Sequence, residues 1–193
     1  MPEHGTPTLV AVSGPPGSGK TTLAHRIARD LGCPAICRDE IKEGMVHARP
    51  GFAPTPGDPL DFRALDAFFG VLRLLLESGT TVVAEAAFQD QLWRPGLEPL
   101  TGLARIRVVR CRVDAGTARA RIGRRAGESP LRSAHADRDL LRSLERGESS
   151  LDAWVPISLD VPAIEVDTSD GYRPGLDEVV PFAGGGGRAP RGR

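Results

Sequence analysis

Thr8-Leu9-Val10-Ala11-Val12-Ser13-Gly14-Pro15-Pro16-Gly17-Ser18-Gly19-Lys20-Thr21 is the segment that decides the fold. Its first six residues form a short apolar run of the kind a strand buried on both faces requires. The next eight satisfy G-x-x-x-x-G-K-[ST] at every position. From Thr21 to Leu31 the pattern changes to helical spacing, with Leu23, Ile27 and Leu31 on one face and Gly32 as the stop. Strand, glycine loop and helix in that order form a phosphate cradle, because loop and first-turn N–H groups can turn toward anionic oxygens. Gly14, Pro15, Pro16, Gly17, Ser18, Gly19, Lys20, Thr21 and Thr22 are therefore expected to hold ATP. Lys20 should reach the β- and γ-phosphates, and the Thr21 hydroxyl should ligate Mg²⁺.

Outward from the cradle, strands and helices alternate. Cys33 to Cys37 reads as a second strand, and Arg38-Asp39-Glu40 opens a helix to about His47. Residues 48–60 are too rich in Pro and Gly for a regular element. From Asp61 an apolar stripe of Phe62, Leu65, Phe68, Phe69, Leu72, Leu75 and Leu76 marks a long core helix, ended by Ser78-Gly79. Thr80 to Ala84 is a third strand, followed by a helix interrupted at Pro95 and Pro99. Ile106 to Val113 is a fourth strand, Asp114 caps an arginine-bearing helix, and Ala163 to Val166 is a last strand. This alternation predicts an α/β fold, a parallel sheet with helices on both faces. Residues 1–182 are expected to form one domain with its core from about Thr8, and 183–193 a disordered Gly/Arg tail.

Composition narrows the function classes. The chain has 193 residues, enough for one well-buried core, and 40% hydrophobic content. No apolar run approaches the roughly 20 residues that span a bilayer, and the N-terminus has no secretory pattern. Cys33, Cys37 and Cys111 match no disulfide or metal spacing and read as thiols of a reducing compartment, so a cytoplasmic protein without a membrane partner is expected. Net charge is zero, yet twelve Arg against five acidic residues lie between Arg105 and Arg146. A locally basic third suits a phosphorylated ligand and argues against a long nucleic-acid track. Only Lys20 and Lys42 of the 25 cationic residues are lysine, which marks both positions for attention.

A P-loop serves ATPases, GTPases and kinases alike. No guanine-selecting N-K-x-D is present. Asp39 favours a kinase, because ligands of such sheets bind beyond the carboxyl ends of the strands. Its carboxylate would face the γ-phosphate and could take the proton of an attacking hydroxyl. Lys42, one helical turn later, shares that face and could hold substrate. Glu85 near the end of strand three could contact substrate or a metal-bound water. Arg121, Arg124 and Arg125 fall within about one turn and could converge on the γ-phosphoryl oxygens, with Arg132 and His135 as further substrate contacts. Thr168 and Asp170 lie beyond the last strand, on the adenine side. Phe52, Phe88 and Trp93 fall in loops expected to floor the acceptor, whereas Trp154 reads as core.

Gly14-Pro15-Pro16-Gly17-Ser18-Gly19-Lys20-Thr21-Thr22, Arg38-Asp39-Glu40-Ile41-Lys42 and Arg121-x-x-Arg124 together resemble the small P-loop kinases. That group includes chloramphenicol phosphotransferase and the kinase domain of polynucleotide kinases. Phe62-Arg63-Ala64-Leu65 and Glu165-Val166-Asp167-Thr168 add to the similarity, which spans about residues 8–182. The resemblance implies a five-stranded sheet of order 2-3-1-4-5, an arginine-bearing lid, and Asp39 as general base. At the end of strand three relatives often carry Asp, where this chain has Glu85. The expected activity is transfer of the ATP γ-phosphate to a hydroxyl of a small organic molecule, a chloramphenicol-like or nucleoside-type antibiotic being the leading acceptor. The alternatives are a polynucleotide 5′-hydroxyl kinase and an ATP-binding switch or toxin-like module.

Overall fold

Five parallel strands carry the chain in the order β2-β3-β1-β4-β5. They are β1 (Thr8–Ser13), β2 (Ala35–Cys37), β3 (Val82–Ala86), β4 (Arg105–Arg112) and β5 (Ala163–Asp167). The helices are α1 (Lys20–Leu31), α2 (Arg38–His47), α3 (Pro59–Glu77), α4 (Asp90–Leu97), α5 (Ala115–Glu128) and α6 (Leu176–Gly184), with a 3₁₀ turn at Glu98–Leu100. The computed structural model describes residues 5–49, 51, 52, 55, 58–128, 141–144, 146 and 154–186. No described helix is long and apolar enough to cross a membrane.

Both faces of the sheet are covered, and β1 shows how the strand pleat divides its side chains between them. Leu9 and Ala11 join the cluster built with Phe68, Leu72 and Trp93 of α3 and α4. Val10 and Val12 join the opposite cluster with Leu23 and Ile27 of α1 and Val179 and Phe182 of α6. Every β1 residue is buried, as a central parallel strand requires.

Two strands begin later than the sequence suggests, for one reason. After α1 the Cys33 N–H bonds to the Ala28 carbonyl, and after α3 the Thr80 N–H bonds to the Leu75 carbonyl. Gly32 and Gly79 between them adopt left-handed φ of 67° and 79°. The C-terminal caps thus consume Cys33 and Thr80 before a strand can start. β3 consequently runs on to Ala86, and Glu85 lies inside the strand, paired with Val12 of β1 and Cys37 of β2. At the other end of α3, Pro59 takes the first helical position and the Asp58 carboxylate accepts from the N–H groups of Leu60 and Asp61. Ala183 and Gly184 close the last turn of α6 and do not belong to the tail, whose residues 187–193 lie outside the described ones.

Four aromatic expectations change. Trp93 is fully buried, edge-on to Phe68 at 5.6 Å and to Phe88 at 5.6 Å, so it belongs to the core and not to an acceptor floor. Phe52 packs on a small cluster with Val46 and Leu60 instead of flooring the described acceptor cleft. Trp154 is half-buried beside Pro15, Arg110 and Pro156 instead of lying in the core. Phe62, placed on the core stripe of α3, is 64% exposed, because it falls on the α3 face turned toward the carboxyl edge of the sheet.

Candidate active site

The phosphate cradle is made by backbone. Gly17 and Gly19 hold left-handed φ of 79° and 69°, which L side chains adopt at a cost. Space forbids a side chain as well, since a Cβ on Gly17 would lie 2.6 Å from the Ala118 carbonyl oxygen. α1 starts at Gly19, which has no side chain with which to cap the first-turn N–H groups. Those donors, with the positive end of the helix dipole, suit an anion. The buried hydroxyls of Ser13 and Ser18 find no partner among the described residues.

Lys20 and Thr21 meet one carboxylate beneath this loop. The Lys20 ammonium stands 3.8 Å from Glu85 Oε1 and 3.5 Å from the Pro15 carbonyl. The Thr21 hydroxyl donates to Glu85 Oε2 at 3.1 Å. Glu85 is 1% exposed, and burial lifts its carboxyl above the ordinary value of 4.5. Lys20 and the Thr21 hydrogen bond oppose that rise, whereas the nearby negative charge of Asp39 adds to it. A hydroxyl and a carboxylate side by side are the oxygen donors a hard divalent cation takes, so Thr21 and Glu85 fit Mg²⁺.

Arginines roof a cleft of about 420 Å³ over Gly17, Gly19 and Thr22. Arg121, Arg124 and Arg125 line it from α5, where spacings of three and four residues bring them to one face. The Arg121 guanidinium is pinned by the carbonyls of Thr168 at 2.7 Å, Ser169 at 3.3 Å and Gly17 at 3.4 Å. Thr168 is buried and donates to the Ser18 carbonyl at 2.7 Å, so the segment after β5 is tied to the P-loop. Arg26 and Tyr172 complete the cleft, the guanidinium lying 5.6 Å over the ring. The Asp114 carboxylate caps α5 through the Thr117 N–H, as its sequence position suggests.

A second cleft, of about 350 Å³, is lined by Arg38, Asp39, Asp61, Phe62, Leu65, Ala87, Phe88 and Leu92. Asp39 is partly exposed at its mouth and pairs with the Arg38 guanidinium at 3.3 Å. Arg38 also binds the Asp61 carboxylate and lies 5.8 Å over the Phe88 ring. Lys42 is buried and spends its ammonium on Asp58 at 3.0 Å and Asp61 at 2.8 Å. Burial alone would raise the Asp61 carboxyl, but the bonds from Lys42 and Arg38 outweigh it and hold the group below its ordinary value.

The structure therefore brings Lys20, Thr21, Glu85 and Asp39 together and gathers Arg121, Arg124, Arg125, Thr22 and Thr168 on the other side of the P-loop. Lys42 sits inside the protein as a tether between α2 and the start of α3. Asp170 is exposed and pairs with Arg173 at 3.7 Å, and Arg119 faces solvent. Arg132 and His135 lie outside the described residues. Arg38, Asp61, Phe62, Leu92, Arg26 and Tyr172 escaped the sequence reading. Arg38 adjoins Asp39 and Arg26 follows Thr22 by one turn, which are weak signals; the others carry none.

Comparison with known proteins agrees with this fold. Residues 9–148 match the model of a family described as an AAA domain. A candidate kinase from Chloroflexus aurantiacus is similar at a TM-score of 0.72 and 25% identity, covering 86% of this chain and 90% of that one. A sugar kinase from a Janibacter species shares the fold at a TM-score of 0.59 and 19% identity, covering 95% and 99%. An uncharacterized protein of Mycobacterium tuberculosis is 29% identical over 135 residues, 65% of this chain. The chain spans 27% of the length of the curated relatives it matches.

Proposed function

The chain belongs to the AAA domain family matched by residues 9–148, and from that premise we propose that it transfers the γ-phosphate of ATP to a hydroxyl of a small organic acceptor. One observation carries the reading. Glu85 touches Lys20 and Thr21 under the phosphate cradle and feels the charge of Asp39, which opens onto the second cleft. A phosphate seat and a carboxylate base thus adjoin.

Each residue has a defined part. The P-loop N–H groups and Lys20 bind the β- and γ-phosphates. Thr21, with Glu85 behind it, would hold Mg²⁺, which would supply positive charge beside the phosphate oxygens. The acceptor hydroxyl oxygen attacks the γ-phosphorus, its proton passes to the Asp39 carboxylate, and the bond to the β-phosphate oxygen breaks to release ADP. Arg38 and Asp61 keep Asp39 oriented. Arg124 and Arg125 reach toward the phosphates from α5, while the Arg121 cleft suits the nucleoside.

Phe62, Leu65, Ala87, Phe88 and Leu92 give the acceptor cleft an apolar wall. That wall favours an acceptor with an apolar or aromatic body, so chloramphenicol-like and nucleoside-type antibiotics come first among acceptors. The test is ADP release across antibiotics, nucleosides, sugars and 5′-hydroxyl oligonucleotides, with product mass checked for an added phosphoryl group. Phosphorylation of an apolar hydroxyl compound, slowed at least about a hundredfold in Asp39→Asn, is the expected result. Preferred transfer to oligonucleotides would replace the small-molecule reading, and ATP turnover with no acceptor would leave a switch.

A further inference from the structure

Three side chains of different chemistry meet on α1, β2 and α2, outside both clefts. His25 Nε2 lies 2.8 Å from Glu40 Oε1 and 3.7 Å from Cys37 Sγ. All three ligand-capable atoms fall within 4.8 Å of one another. Local structure explains the meeting. Cys37 is the cap residue of α2, so Glu40 comes one turn later on the same side. His25 sits four residues past Thr21 on α1, the helix that packs beside β2. Each element is fixed by other contacts: α1 by Leu23 and Ile27 in the core, β2 by its pairing of Cys37 with Glu85.

We infer that His25, Cys37 and Glu40 form a binding site for one borderline-soft divalent cation, Zn²⁺ by its donor set, with water completing the shell. A nitrogen, a sulfur and a carboxylate oxygen select such ions over Mg²⁺, which demands oxygen and octahedral geometry. Bonds of about 2.0–2.3 Å in a tetrahedron place ligand atoms roughly 3.3–3.7 Å apart. The histidine–sulfur distance of 3.7 Å already agrees with that. The histidine–glutamate hydrogen bond must open by less than about 1 Å, and both side chains are half-exposed.

The carboxylates of Glu85 and Glu40 both lie near the buried Cys37 sulfur. Metal binding there would release the thiol proton. The ion would fasten the start of α2, which carries Asp39, to α1, which carries Lys20 and Thr21. It would thereby steady the spacing between base and phosphate seat without touching either reactant.

The test uses tag-free, nucleotide-free protein in excess Mg²⁺, titrated with Co²⁺ and followed by the near-ultraviolet thiolate-to-cobalt charge-transfer band. One equivalent should develop the band, and Zn²⁺ should displace it. Cys37→Ser should abolish the band, and Cys33→Ser should keep it. His25→Ala, at a half-exposed position that leaves folding intact, should weaken binding at least about tenfold. Absence of a saturable band in the wild type overturns the site, as does a band that survives Cys37→Ser. Should Cys37→Ser not fold, His25→Ala decides alone, and unchanged affinity overturns the site.

Discussion

The phosphate seat and the acceptor cleft are neighbours built by opposite means. The seat is one contiguous segment whose backbone does the binding, with glycines at φ of 79° and 69° and a helix N-terminus at its end. The acceptor side draws Arg38, Asp39 and Lys42 from α2, Asp58 and Asp61 from the start of α3, and Phe88 from the segment after β3. Its polar members satisfy one another, so the cleft's shape rests on ion pairs between elements distant in sequence. A seat made of backbone tolerates any ligand with the right phosphates. A cleft made of side chains can be re-cut by single substitutions.

The sharpest way to break this contrast is at the seat. Lys20→Ala should lower turnover by about a thousandfold, roughly 4 kcal/mol, because a charge-stabilising donor is lost where phosphoryl charge develops. Steady-state kinetics and calorimetric ATP titration measure it, and unchanged turnover would remove the phosphate assignment.

On the acceptor side the larger expected effect is on folding. Lys42→Ala leaves the buried Asp58 carboxylate without its cation and should cost about 3 kcal/mol of stability. Chemical denaturation reads this directly. Adding Asp58→Asn, which keeps an acceptor for the α3 cap, should recover part of the loss. If Lys42→Ala folds with wild-type stability yet loses acceptor affinity, Lys42 is a substrate contact as the sequence suggests.

Asp39→Asn should keep the fold and ATP affinity but transfer phosphate at least about a hundredfold more slowly, near 2.7 kcal/mol. Transfer within a few-fold of wild type would move the base elsewhere, first to Glu85.

The smallest effect sits at the joint between the two regions. The Glu85 carboxyl is raised in the folded protein above its ordinary 4.5, so folding favours its protonated form. Its contribution to stability is full below about pH 4.5 and falls as pH rises through the higher folded value. The stability difference between wild type and Glu85→Gln should therefore fall with rising pH, at no more than about 1.4 kcal/mol per pH unit. A difference that is flat or rising from pH 4.5 upward would contradict the buried placement of Glu85.

Legibility in the sequence follows the same divide. The glycine loop after β1, the place of Asp39 just after β2 and the α/β alternation could all be read, because strand burial, glycine geometry and helical spacing are local and periodic. Within the Asp39 region the sequence showed the carboxylate but not its holders. Arg38, Asp58 and Asp61 had no assigned partner in the sequence, and only the approach of α3 to α2 turns them into a network. Trp93 and Phe62 exchanged places between site and core, since apolar residues near a sheet edge carry no label for which face they meet. The triad of His25, Cys37 and Glu40 has no recognisable spacing at all. By itself the sequence determined the strand, glycine loop and helix of the P-loop and the sheet that supports them, because backbone conformation is set by neighbouring residues. The tertiary structure alone decided which side chains face one another across the acceptor cleft, because those contacts depend on how separate helices pack.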